Sequence, residues 1–170
     1  MTEAKNLNTV AFEALRNRIA KVFPAQIRKC VEELSDDRLW FRGNDESNSV
    51  GNLVLHMSGS MRHYLCRSIG GFEYTRDRPA EFAERGPLPK AELLAIFDET
   101  ISQAEKTFAA LDPGRFMDPI QEPGYGSTLF EQIYSVAIHF ATHAGQIVYA
   151  TKMLKAGALD EIWIKSHKER

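Results

Sequence analysis

The chain has 170 residues, with 21 Lys and Arg against 23 Asp and Glu, for a formal net charge of −2. That near-neutral balance excludes a basic nucleic-acid footprint, and an apolar fraction of 44% supports a packed core rather than disorder. Two cysteines, Cys30 and Cys66, cannot build a disulfide framework, and the charged opening Met-Thr-Glu-Ala-Lys-Asn has no secretory character. No stretch has the length of apolar residues that a membrane span needs. The expectation is one cytoplasmic domain covering residues 1–170, with no membrane and no nucleic acid among its partners.

Four segments carry a helical period, and none alternates as a strand would. The first runs from about Asn8 to Leu34, and Pro24 in its middle is predicted to kink it or split it in two. The second begins near Ser49, with an apolar stripe of Val50, Leu53, Val54, Met57, Met61, Tyr64 and Leu65, and Gly70-Gly71 ends it. The third opens at Pro89 and stops near Leu111, before Asp112-Pro113-Gly114. In the fourth, Thr128 and Glu131 have capping-box spacing and Gly157 offers a stop. Between them Leu129, Ile133, Val136, Phe140, His143, Ile147, Ala150 and Leu154 alternate steps of four and three, the seam of a bundle helix. Four such segments predict an all-α, four-helix bundle. The connection over 42–48 is short, whereas 70–88 and 112–127 are long enough to carry specificity. A tail with Ile162, Trp163 and Ile164 is expected to pack back on the bundle or on a second subunit.

Three of the five histidines form a pattern. His139 and His143 stand four apart on the fourth segment, so both imidazoles project from one helix face and can converge on one metal at about 2.0–2.1 Å. His56 lies at the edge of the second segment's stripe and becomes the third ligand if those two helices face each other. A satisfied core histidine is the competing reading of His56. Three neutral histidines with an open position describe a catalytic rather than a structural centre. His63 lies two turns beyond His56, too far for the same metal, and reads as pocket lining or surface; His167 reads as solvated.

The residue after His139 is Phe140, so the His-Glu-x-x-His pattern and its built-in base are absent. No carboxylate lies on that face within a turn of either histidine. A zinc held by three neutral ligands keeps its double charge and favours an anionic fourth ligand, hydroxide or thiolate. Neither Cys66, turned well away from His56, nor Cys30 has the setting of a nucleophile. Gly124-Tyr125-Gly126-Ser127 precedes a helix N-terminus where an anion could sit, or is an ordinary loop and cap. Arg76 and Arg78, in the long connection, either meet a cofactor carboxylate or are solvated. Asn52, Ser60 and Gln146 each stand three or four residues from a histidine on the same helix, where they would orient an imidazole or make a bundle-edge hydrogen bond.

At Ser47-Asn48-Ser49-Val50-Gly51-Asn52-Leu53-Val54-Leu55-His56 and at His139-Phe140-Ala141-Thr142-His143-Ala144-Gly145-Gln146-Ile147 the chain resembles the DinB superfamily of YfiT-like metal-dependent proteins. The resemblance extends over most of the chain, including Leu39-Trp40-Phe41-Arg42. It implies an up-down-down-up bundle, a homodimer, and a divalent metal, zinc or nickel, on His56, His139 and His143. Known activities in that superfamily are often thiol-dependent, as in bacillithiol S-transferases and mycothiol-dependent maleylpyruvate isomerase. The expectation is a metal-dependent enzyme that activates a low-molecular-weight thiol for S-transfer or thiol-assisted isomerisation of a small-molecule substrate. The alternatives are a hydrolase using metal-activated water and a non-catalytic, metal-binding dimeric bundle.

Overall fold

The computed structural model describes residues 6–86, 88–120 and 126–159. Among them every regular element is helical, and the one extended pairing is an isolated antiparallel bridge between Pro119 and Thr128. The tail with Ile162, Trp163, Ile164 and His167 lies outside the described residues, as do Gly124 and Tyr125.

Helix α1 (Leu7–Asn17) starts at Asn6, whose side chain accepts the Thr9 amide at 2.8 Å. A π-helical turn, Arg18–Val22, leads into α2 (Phe23–Glu33). Proline has no N–H to donate, and its ring presses on the carbonyl four residues back; the wider turn opens the ladder just ahead of Pro24. Helical dihedrals continue through Arg18 and Phe23, so Pro24 does not split the segment. After α3 (Asp36–Leu39), helix α4 (Val50–Met61) opens with a capping box between Ser49 and Asn52, and a second π turn, Arg62–Arg67, extends it. Gly71, at φ 72°, follows in the left-handed conformation that glycine adopts without strain.

The connection that follows is not all loop. It contains α5 (Arg78–Ala83), started by the Asp77 side chain accepting the Ala80 amide, with Pro79 in the first turn. Helix α6 (Lys90–Ala110) runs uninterrupted. Helix α7 (Leu129–Leu154) has the expected box: Thr128 accepts the Glu131 amide, and the Glu131 carboxylate accepts the Thr128 amide. That carboxylate also takes the amide and hydroxyl of Ser127, so it occupies the position where an anion was considered.

Helix α4 packs against α6 and α7, α2 packs against α7 and α6, and α5 lies on α4. Phe140 joins these layers. Its ring stacks on Phe97 of α6 at 6.4 Å between centroids and meets Phe23 of α2 at 6.3 Å. Phe140 directly follows His139 in the chain, so this fully buried ring fixes the rotation of α7 at the histidines. Replacing Phe140 with Ala is expected to cost about 3–5 kcal/mol in urea unfolding, from lost transfer energy and the cavity left behind. A loss under about 1 kcal/mol would show that the ring does not anchor the helix.

The buried row of α7 departs from the predicted seam at His143, Ala150 and Leu154, which are half-buried. It passes Ile133, Val136, Ala137, Phe140, Ala144, Ile147 and Thr151, while His143 stands half-buried at its edge. A strict alternation of fours and threes has a period of 3.5, whereas the helix turns every 3.6 residues, so the apolar stripe drifts around it. The small Ala144 then takes the inner position, and His143 is left at the rim, where an imidazole can reach a ligand. No described helix is long and apolar enough to cross a membrane.

Candidate metal centre

Helices α4 and α7 bring His56, His139 and His143 together. One nitrogen of each lies within 4.8 Å of the others. The His139 Nε2 atom is 3.0 Å from His56 Nε2 and 3.1 Å from His143 Nε2. His56 is buried and the other two are half-buried, so the cluster has a dry side against α4 and an accessible side along α7.

The outer ring nitrogens decide what the inner ones can do. His56 Nδ1 lies 2.9 Å from Glu81 Oε2, which accepts its proton. His143 Nδ1 lies 2.7 Å from Gln146 Oε1, which accepts likewise. Both imidazoles are thereby held as the tautomer whose Nε2 carries a lone pair directed at the centre. His139 Nε2 faces both of them and can give a proton to only one. Burial, together with the neighbouring His143 and His56 rings, pushes the His139 pKa down to about 4, and burial also lowers that of His143. Three imidazoles with ring nitrogens turned toward one point form a donor set suited to a divalent cation.

The sign of the His139 shift predicts a pH dependence. The unfolded chain takes up the proton near the ordinary 6.5, whereas the folded chain resists it down to about 4. Stability of the metal-free protein is therefore complete above pH 6.5, falls as pH drops toward 4 and levels off below. After discounting for partial exposure, the loss is about 1–2 kcal/mol. Urea midpoints of wild type and His139→Ala, recorded in chelator between pH 7 and 4.5, check it. Parallel curves for the two proteins would refute the assignment.

Glu81 is the residue that sequence reasoning missed, and Arg76, read as a cofactor contact or as solvated, has a different role. Arg76 is held in the interior rather than solvated: its Nε donates to Glu81 Oε1 at 2.7 Å and its Nη2 donates to Oε2 at 2.9 Å, with side-chain exposures of 10% and 8% for the pair. Burial alone would raise the Glu81 pKa, but hydrogen bonds from His56 and Arg76 more than offset it and keep the carboxyl ionised. Gly59 makes room for this carboxylate, since a Cβ there would fall 2.0 Å from Oε1. The available sequence signal was Asp77 before Arg78-Pro79, a cap and first-turn proline that mark the start of α5.

Of the three candidate helper residues, Gln146 touches a histidine and the other two do not. Asn52 closes the α4 cap and donates to the backbone carbonyls of Glu81 and Glu84, at 3.1 and 2.9 Å, so it docks the helix that carries Glu81. Ser60 is buried and bonds to none of the three rings. His63 lies apart, its ring edge-on to Tyr64 at 4.7 Å. Cys30 and Cys66 are buried free thiols; burial raises both, Cys66 to about 12, which removes them as nucleophiles. Arg78 stays at the surface with its guanidinium 5.1 Å from the Phe82 ring centroid.

Fold and site together define a class: an all-helical protein with three histidines close enough to hold a metal ion. Over residues 7–168 the chain matches the family described as "Protein of unknown function (DUF1572)", and it belongs to that family. No curated protein matches the chain.

Proposed function

We propose that the protein is a DinB-type, four-helix-bundle enzyme that holds zinc or nickel on His56, His139 and His143 and binds a low-molecular-weight thiol at the open position. The observation that carries this reading is the set of inward Nε2 atoms, two of them fixed as acceptors by Glu81 and Gln146. The DinB-like character of the DUF1572 family agrees with it. When bound, the ion lowers a thiol's pKa and holds the thiolate beside an electrophile, for S-transfer or thiol-assisted isomerisation.

The surrounding residues favour an anionic fourth ligand. Glu81 strengthens His56 as a donor, and Arg76 cancels the charge of Glu81, so the ion would keep nearly its full double charge. Both Glu81 oxygens are engaged, by His56 and by Arg76. Glu81 is therefore not free to serve as the base that hydrolysis by activated water would need, which weighs against that alternative. The described residues also add no fourth His, Cys, Asp or Glu to the cluster, as a closed structural site would require. Tyr134, Ile138, Tyr149 and Met153 form an exposed apolar stripe along α7 that a second copy of the chain would cover.

The test is spectroscopic. Cobalt-loaded protein is expected to gain a sulfur-to-metal charge-transfer band in the near ultraviolet on addition of 2-mercaptoethanol, and the His143→Ala variant is not. An unchanged spectrum across several small thiols would remove the thiol reading and leave the hydrolytic one to be screened.

A further inference from the structure

We propose that Arg78 sets the substrate class of the histidine centre: the ligand held there carries a carboxylate, which the Arg78 guanidinium binds while another group of the same molecule reaches the three Nε2 atoms. The inference rests on the metal site proposed for His56, His139 and His143, and it names the other end of the ligand.

Helix α5 meets His56 with two consecutive residues. Glu81 accepts the Nδ1 proton at the edge of the ring, and the Phe82 ring lies against the same imidazole, 4.7 Å between centroids and tilted by 38°. Arg78 stands one turn before Phe82 on α5, and its guanidinium carbon is 5.1 Å from the centroid of that ring. Ligating imidazole, phenyl ring and guanidinium thus follow one another in contact. His56 is buried, Phe82 half-buried and Arg78 exposed, so the series runs outward from the centre to solvent. The aromatic ring keeps a positive charge beside the triad that would otherwise sweep through water.

The other arginines near α5 are engaged. Arg76 gives two hydrogen bonds to Glu81, and Arg85 donates to the backbone carbonyls of Phe82 and Glu84. Arg78 makes no hydrogen bond and no ion pair among the described residues, so its N–H groups are open to a partner from outside. A planar guanidinium fork matches the two oxygens of a carboxylate. Charge points the same way. Arg76 is balanced by Glu81, and the imidazoles that would hold a divalent ion add no negative charge, so the ion and Arg78 would leave the centre positive on its α5 side. A thiolate joined to a carboxylate neutralises both positions, whereas a neutral thiol serves only the ion.

The experiment titrates cobalt-loaded protein with 3-mercaptopropionate and with 3-mercaptopropan-1-ol, matched in length but not in charge, and reads the near-ultraviolet band. The carboxylate thiol is expected to bind about tenfold or more tightly than the alcohol, with the advantage shrinking as salt is added. Arg78→Met is expected to erase the preference, Arg78→Lys to keep part of it, and Phe82→Leu, which removes the support of the guanidinium, to weaken it severalfold. Succinic monohydroxamate against butyrohydroxamate repeats the comparison without a thiol, through the visible spectrum of the cobalt. Equal affinity within both pairs, or a preference that Arg78→Met leaves intact, would overturn the inference, while a thiol band would still uphold the thiol reading. Silent thiols together with a hydroxamate preference that depends on Arg78 would remove the thiol reading and uphold the carboxylate contact. A wild-type chain that takes up no cobalt would remove the metal site and this inference together. Arg78 is exposed and bonded to nothing, so Arg78→Met is expected to melt as wild type does; should it fail to fold, Phe82→Leu and Arg78→Lys decide the question.

Discussion

The triple variant His56→Ala, His139→Ala, His143→Ala is expected to purify without metal, while the wild-type chain carries about one divalent ion. The effect is large because the donor set is small. Three imidazoles converge within 4.8 Å, and the described residues offer no fourth ligand to compensate for a lost one. Single replacements should rank by burial and support. His56, buried and backed by Glu81, should cost the most affinity, and His143, half-exposed at the rim of α7, the least. Metal content by mass spectrometry and competition with a chelator read both effects. Full stoichiometric retention in the triple variant would remove the site, and with it the enzymatic reading.

Arg76→Leu is expected to destabilise the protein by about 3–5 kcal/mol, because it strands the buried Glu81 carboxylate without its partner. Arg76 contributes two charge-assisted hydrogen bonds, and the pair is almost fully withdrawn from solvent. The double variant Arg76→Leu, Glu81→Gln should recover much of that loss, since the uncompensated charge is then gone. Urea unfolding of the two single variants and the double variant measures the coupling. A destabilisation from Arg76→Leu that Glu81→Gln leaves untouched would mean lost packing, not a stranded charge. Glu81→Gln alone is expected to weaken metal binding by about 10–100-fold, the usual range for a carboxylate behind a ligating histidine.

Much of this was legible in the sequence, for identifiable reasons. The Thr128–Glu131 pair is a local signal read within three residues, and its capping box formed as expected, while α4 starts beside the predicted Ser49. The spacing of His139 and His143 is likewise a one-turn relation that any helix honours. His56 required knowing that α4 faces α7, which the sequence left as a condition and only the family resemblance implied. Glu81, and its pairing with Arg76, escaped because neither residue lies on a periodic segment. They reach His56 from a connection 20 and 25 residues further along, and only tertiary docking through Asn52 brings them there. Arg76 then misled twice over, since a charged residue in a long connection ordinarily stays in water. The rim position of His143 was missed for a subtler reason, the drift between a 3.5-residue reading and a 3.6-residue helix.

Helix α5 is six residues long, too short to persist without the surface it rests on. It is held on α4 by the Asn52 amide on two backbone carbonyls, by the Glu81 carboxylate on His56, and by the Phe82 ring 4.7 Å from that imidazole. A short segment of this kind, resting on one neighbour, is where local opening of a fold would start. Each opening would carry Glu81 away from His56 and let water reach the Nδ1 edge of the ring. The orientation of that imidazole thus depends on a small peripheral helix staying docked, not on the aromatic core.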